Sequence, residues 1–411
     1  MSSFTLKISA RRIVIDSSTI LDNATVMVRD GKVFKIGSSE ALQNVKADKE
    51  IKLGSHILYP GFVNAHCHLE LSHMKGKIAR RSPFTGWIKE LITIRANAGK
   101  KEVNDGIKAG IKRLIQTGAT CVGDVTLGGR VSPILRRSGL RAIMFHEVLG
   151  FDPAQAGLRL ADLKGRVKKA FTTDRLQNGV SPHSVYSVSP VLMRETARYA
   201  KKTSMPLAIH ICETLAEAEF SSKGSGEFKS FHKSIGAHIP GGHPALTPIN
   251  AISRAGVINN ALLIHTNHPN RGDLSTLVRK NAKVVVCPNS NRWFRRKINH
   301  PLIKLMKRKI PVGLGTDSLA SNDDLDIRAE ARRIMGDFPE LTVSDMFDLA
   351  TVGGARALGL PAKYGTLQVG APFDAIAVKL KLNRRADPLL DIIKNSGNVS
   401  KTWVGGELLK F

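Results

Sequence analysis

His66 and His68 sit one residue apart in the stretch PGFVNAHCHLE, behind an apolar run. Alternate residues of a strand share a face, so the two imidazoles project together while Cys67 points the other way. Two imidazoles at a strand end suit a divalent metal better than a core, if further ligands exist. Candidates recur after other apolar runs: His183 in SPHSVYS, His210 and Glu213 in AIHICET, His265 in LLIHTNH, Asp317 in GLGTDSLASN. His66, His68, His210 and Asp317 offer three neutral imidazoles and one hard carboxylate. That set binds one divalent metal, zinc foremost and Fe(II) as the alternative, and leaves a position for water. Such a metal brings the pKa of its water toward about 7. Hydrolysis then needs a proton for the leaving group, and Glu213, near the metal without being a ligand, is placed to shuttle it. His265 would polarise the attacking oxygen or hydrogen-bond the tetrahedral centre, and Asp317 would also accept a proton from the water. A second metal would call for a bridging ligand, often a carbamylated lysine on an early strand. The second and third runs offer Asp124 and His146-Glu147 instead, so one metal is expected.

Something must bring these residues together. Eight short β-rich runs can be placed: HILYPGFVNA, ATCVGDV, LRAIMFHEV, GVSPHSV, PLAIHI, ALLIHTN, AKVVVCP and IPVGLGTD. Helical periodicity lies between most of them, as at 102–116, 190–203 and 301–309. Alternating β and α units predict a parallel sheet, and eight of them a (β/α)8 barrel with its active site at the strands' C-terminal ends. A doubly wound open sheet is the competitor, weakened because no GxGxxG opens a helix after the first strand. The first 56 residues alternate polar and apolar residues between Gly turns, predicting a small antiparallel sheet. The C-terminal stretches YGTLQVGAPFDAIAVKL and SKTWVGGELLKF have the same texture. Residues 221–248 are too long for an ordinary connection and are expected to overhang the strand ends.

The 411 residues are 42% hydrophobic, enough for a large core. A formal net charge of +28 invites a nucleic-acid reading. The excess is spread along the chain, although eight Lys or Arg and no acid fall between Arg292 and Lys309. No helix-turn-helix, RNP pair, zinc finger or basic zipper accompanies it, so a solvated basic face is expected and nucleic acid is not. The four cysteines stand far apart in apolar runs, as in a cytosolic protein with reduced core thiols. The N-terminus lacks an apolar signal core, and no apolar run approaches the roughly 20 residues of a membrane span. A cytoplasmic protein acting on a small molecule is expected, with a homodimer left open.

The motifs NAHCHLE, HICET, LLIHTN and GLGTDSLASN resemble the metal-dependent amidohydrolase superfamily, in its cytosine/adenosine deaminase and chlorohydrolase branch. The resemblance covers nearly the whole chain. It implies a (β/α)8 TIM barrel over 57–365 and a composite β-sandwich from 1–56 and 366–411. It implies that His66, His68, His210 and Asp317 bind the metal, that Glu213 and His265 are catalytic, and that His183 contacts substrate. Within the branch, SPFTGWIKELI, FHEVLGF, CPNSNRWF and TDSLASNDDLDI most resemble aminodeoxyfutalosine deaminases of the alternative menaquinone pathway. That likeness implies a substrate with a purine 6-amino group, a ribose-like linker and a benzoate. Arg95 and Arg292, each following such a motif, are the candidates to hold the benzoate, and Glu213 would also touch substrate. The alternatives within the branch are deamination of S-adenosylhomocysteine, adenosine or guanine, or removal of chloride from a triazine. Glu213 favours an amine, because chloride leaves without a proton. The zinc nucleic-acid deaminases are excluded, since no second cysteine follows Cys287-Pro288. One departure from the family pattern is GAPFDAI around Asp374, where a Gly-Lys-x-Ala-Asp segment is usual.

Overall fold

The computed structural model describes residues 4–80, 83–237, 245–296, 298, 300–379 and 387–410. The chain opens with β1 (Thr5–Val14), β2 (Ile20–Arg29), β3 (Lys32–Ser38), β4 (Lys49–Lys52) and β5 (His56–Pro60). The antiparallel expectation holds for β1 with β2 and for β2 with β3. It fails on the other edge of β1, where β4 and then β5 pair in parallel. Alternation along a strand reports which face each residue takes and says nothing about strand direction.

The first apolar run, HILYPGFVNA, forms two strands. Its front half is β5; its back half is β6 (Phe62–Cys67), which starts a separate parallel sheet. The break falls at Pro60-Gly61. A Cβ on Gly61 would lie 2.0 Å from the Thr120 hydroxyl oxygen, so the chain passes this point only as glycine. The other runs supply β7 (Ala119–Thr126), β8 (Arg141–Val148), β9 (Leu176–Pro182), β10 (Ala208–Ile211), β11 (Leu262–His265), β12 (Lys283–Val286) and β13 (Val312–Leu314). They form two four-stranded parallel sheets, β6-β7-β8-β9 and β10-β11-β12-β13. Parallel bridges at Val180–Leu207 and Cys67–Asp317 lie between the two sheets. This arrangement is consistent with a (β/α)8 barrel. Helices occupy Lys100–Gln116, Pro190–Thr203 and Leu302–Lys307, where the periodicity marks them. Strands β6, β7 and β8 are buried at every residue, as parallel strands covered on both faces must be. One face packs as Cys121, Phe145, Ala208, Ile264 and Val285. The opposite face, with Ile209, Ile211, Leu263 and Val284, meets helix residues such as Leu192, Leu277 and Leu305.

Both ends of the chain share one sheet. β14 (Ala375–Lys379) pairs antiparallel with the whole of β5, and β15 (Lys401–Val404) and β16 (Glu407–Leu408) extend it. This sheet has its own core around Ile8, Val26, Leu58, Phe373 and Trp403. Asp374 in GAPFDAI ties it to β8: its carboxylate takes Nε and Nη2 of buried Arg141 at 2.9 and 3.2 Å, and Gly405 N–H at 2.7 Å. All four cysteines are buried and unpaired. Among the described residues no helix is long and apolar enough to cross a membrane. Helices at Leu215–Lys223, Glu227–Ser234 and Pro248–Arg254 cover much of the described part of the long 221–248 segment. Residues 238–244 of that segment, and Lys297 of the basic run, lie outside the described residues.

Candidate active site

The histidines reach one another through two local irregularities of the strands. Val63 and Ala65 face the shared strand cluster, so strict alternation would send Cys67 there as well. A register shift between Asn64 and Cys67 breaks the alternation. Cys67 turns to the helix-side cluster with Leu69 and Ile107, and His66 and His68 stand together with ring centroids 4.8 Å apart. Likewise Leu263 packs toward the helices, and alternation would place His265 beside it. His265 instead adopts φ +73°, a left-handed backbone that carries its ring to within 5.9 Å of His66. Asp317 also has φ +59°. Such conformations cost on the order of 1 kcal/mol or more per residue and cluster at functional sites. Gly315 makes the room: a Cβ there would stand 2.7 Å from the His66 Cβ.

The polar atoms converge. His68 Nε2 and His210 Nε2 are 3.2 Å apart, and Asp317 Oδ1 lies 3.5 Å from His66 Nε2 and 3.7 Å from His68 Nε2. Asp317 Oδ2 accepts from Ser290 Oγ at 2.7 Å and Ser321 Oγ at 2.9 Å, which fixes the carboxylate and leaves Oδ1 for the centre. His210 Nδ1 faces the His183 carbonyl at 3.3 Å, which puts the proton on Nδ1 and a lone pair on Nε2. Burial, with neighbouring imidazoles adding to it, pushes His68 and His210 well below the ordinary histidine range, so both rings are neutral. For Asp317, burial acts to raise the pKa, but the nearby His66 ring, with His265 and His68, holds it well below the carboxylate range. Neither ring nitrogen of His66 has a hydrogen-bond partner, although the residue is 1% exposed. Lone pairs facing one another around an ionised carboxylate, with a bare buried imidazole, fit a divalent cation.

Glu213 and His265 lie beside this centre, with Oε1 and Nε2 3.8 Å apart. Burial lowers the His265 pKa, against the pull of Glu213. The turn after β10 that carries Glu213 is held by Glu217, whose buried carboxyl accepts Cys212 N–H at 3.0 Å and Glu213 N–H at 2.7 Å. Burial raises the Glu217 pKa to about 8. The sequence reading missed Arg296. Its Nη1 donates to Glu213 Oε1 at 2.9 Å, and its guanidinium lies 4.8 Å from the Phe84 ring and 4.2 Å from the Phe294 ring. It belongs to the run expected to be a solvated basic face, and only its neighbour Phe294 hinted otherwise.

A cavity of about 580 Å3 opens over these groups. Phe84, Trp87, Leu91, Tyr186, Phe231 and Phe294 give it a largely apolar wall, and His183 and Arg95 line it too. Phe231 comes from the long segment expected to overhang the strand ends. Arg95 stands 3.6 Å from Glu70, whose carboxylate also accepts the N–H groups of Leu127, Gly128 and Arg130. Arg292 is not brought to the histidines: it lines a different cavity, with Arg80, Arg295 and Asp337. The reason is helical phase: Pro288–Trp293 is a helix whose Ser290 points at Asp317, which turns Arg292 away. Another cavity, about 740 Å3, lies at the opposite strand ends around Leu207 and Lys283, away from every candidate residue.

The amidohydrolase family model matches residues 57–409, so the chain belongs to the amidohydrolase family and is a hydrolytic enzyme. Its relatives include a 5-methylthioadenosine/S-adenosylhomocysteine deaminase of Teredinibacter turnerae, 26% identical over 96% of this chain and 89% of the relative. An aminodeoxyfutalosine deaminase of Nitratiruptor sp. is 27% identical over 96% of this chain and 97% of the relative. Among solved structures, an adenosine deaminase of Xanthomonas campestris with bound zinc shares the fold. Its TM-score is 0.81, with 22% identity over 98% of this chain and 92% of the other.

Proposed function

We propose that this chain removes the 6-amino group of a purine nucleoside-like substrate as ammonia, with 6-amino-6-deoxyfutalosine, on a route to menaquinone, as the leading substrate. The observation that carries the reading is the convergence of His66, His68, His210 and Asp317 beside Glu213 and His265, under an aromatic-walled cavity. In this reading the two parallel sheets close into one barrel over 57–365, a closure supported by the bridges between them. Residues 1–56 and 366–411 form the companion β-sandwich around it, and the enzyme works in the cytoplasm.

His66, His68, His210 and Asp317 would hold the metal, zinc foremost and Fe(II) as the alternative. When bound, the metal supplies a Lewis acid that makes hydroxide available near neutral pH. Glu213 moves the proton. Its Oε1 is held by Arg296, so Oε2 takes a proton from the attacking water and delivers it to the departing nitrogen. His265, neutral through burial, hydrogen-bonds the tetrahedral carbon's oxygen. His183 contacts the substrate, and Arg95, one third exposed at the cavity wall, takes its anionic end.

A second reading, deamination of S-adenosylhomocysteine or 5-methylthioadenosine, is favoured by the Teredinibacter turnerae relative. Ammonia release by the zinc-loaded protein decides between them, with aminodeoxyfutalosine, both thioether nucleosides, adenosine and guanine offered side by side. Preference for the first supports the leading substrate; preference for a thioether nucleoside replaces it; silence on all five removes the purine assignment.

A further inference from the structure

Glu147 ends β8, and its side chain is 6% exposed. Its Oε1 is buried with no hydrogen-bond partner, and the carboxylate forms no ion pair among the described residues. A buried acceptor left without a donor is destabilising until a donor reaches it. Its backbone is secured, since the carbonyl accepts from Arg166 Nη2 at 2.8 Å. The carboxylate faces the cavity with His183 and His210: one oxygen of Glu147 and one ring nitrogen of each histidine lie within 4.8 Å of one another. His183 Nδ1 is 2.6 Å from Ser187 Oγ, whose hydroxyl donates to the Ser184 carbonyl at 3.3 Å. The Ser187 proton is therefore used, Nδ1 carries the histidine proton, and Nε2 is left as an acceptor. The two acceptors converge on one side of the cavity, where Leu127, Leu149, Phe151 and Tyr186 also line it.

From this arrangement we propose that Glu147 is a specificity-determining residue. It accepts hydrogen bonds from a pair of adjacent hydroxyls on the substrate, with His183 as the second acceptor. The inference rests on the purine-nucleoside reading above and deepens it, because a neutral ribose-like diol fits there. A cationic group would be repelled by the metal that His210 is expected to hold, whereas hydroxyl donors bring no charge. A carboxylate, with two oxygens, can take both hydroxyls at once.

The test compares adenosine with 2′,3′-dideoxyadenosine in the zinc-loaded wild type and in Glu147→Gln. Equilibrium binding by calorimetry, ammonia release and zinc per chain are measured in parallel. The wild type is expected to bind the diol about 10- to 100-fold more tightly, the range of one or two hydrogen bonds to a charged acceptor. Glu147→Gln should lose most of that preference while binding of the dideoxy compound and the zinc content stay unchanged. Equal binding of both compounds by the wild type overturns the assignment, as does a preference that survives in the variant. Loss of zinc from Glu147→Gln also overturns it and makes the carboxylate a metal ligand. Diol-dependent binding without any ammonia release leaves Glu147 in its role and sinks the deaminase reading instead.

Discussion

Replacing Glu213 by Gln isolates charge and proton transfer from shape. The amide is isosteric, and its oxygen can still accept from Arg296 Nη1, now 2.9 Å from Oε1. What disappears is the negative charge, together with an oxygen that can carry a proton. The structural cost is small. A charge-assisted hydrogen bond becomes an ordinary one, a loss of about 1–2 kcal/mol. Arg296 also keeps its seat between Phe84 and Phe294. The catalytic cost is larger: a positioned acid–base group contributes about 10²- to 10⁴-fold, equivalent to roughly 3–5 kcal/mol of barrier. Three measurements on one preparation separate these effects: ammonia release, metal per chain by mass spectrometry, and thermal unfolding. The expected result is full metal occupancy, a slightly lower Tm and turnover reduced by at least two orders of magnitude. Turnover equal to the wild type's would refute the proton shuttle. Loss of metal would refute the placement of Glu213 outside the ligand set.

Three further outcomes are expected. His66→Ala removes a ring whose nitrogens have no other partner, so the purified protein should lose its metal while far-ultraviolet circular dichroism stays unchanged; retained metal would break the quartet. Glu217 is a buried acid with its pKa raised to about 8 from 4.5, so the folded state holds a proton that the unfolded chain releases. Its contribution to stability is full below about pH 4.5 and is lost as pH rises to about 8. Glu217→Gln cannot titrate, so its Tm relative to wild type should improve between pH 5 and pH 9; a gap independent of pH would contradict the assigned shift. Asp374→Ala leaves the buried Arg141 guanidinium without its carboxylate, with both side chains under 10% exposed. It should cost about 3–5 kcal/mol in urea unfolding, and a cost under 1 kcal/mol would mean that water replaces the pair.

The sequence by itself determined the eight apolar runs, the polar residues that follow them, and the types of side chain available at each end. These are local properties: burial imposes apolar runs, and metal chemistry demands particular side chains, so both are written residue by residue. His66, His68, His210 and Asp317 could be picked out as one set on that basis, and the structure brings them within a few ångströms. Where the first run divides was less legible, because the break depends on how closely Gly61 passes Thr120 on a distant strand. The facing of His265 was not legible, since ordinary alternation would turn it away and only the positive φ brings it in. The cations show the limit most clearly. Arg292 and Arg296 stand four residues apart in the same basic run. Both line a separate cavity, but only Arg296 is pinned between two aromatic rings against Glu213, 83 residues away. No local pattern distinguishes them, because the energy of a charge depends on which groups desolvate and pair with it. The tertiary structure alone decides that.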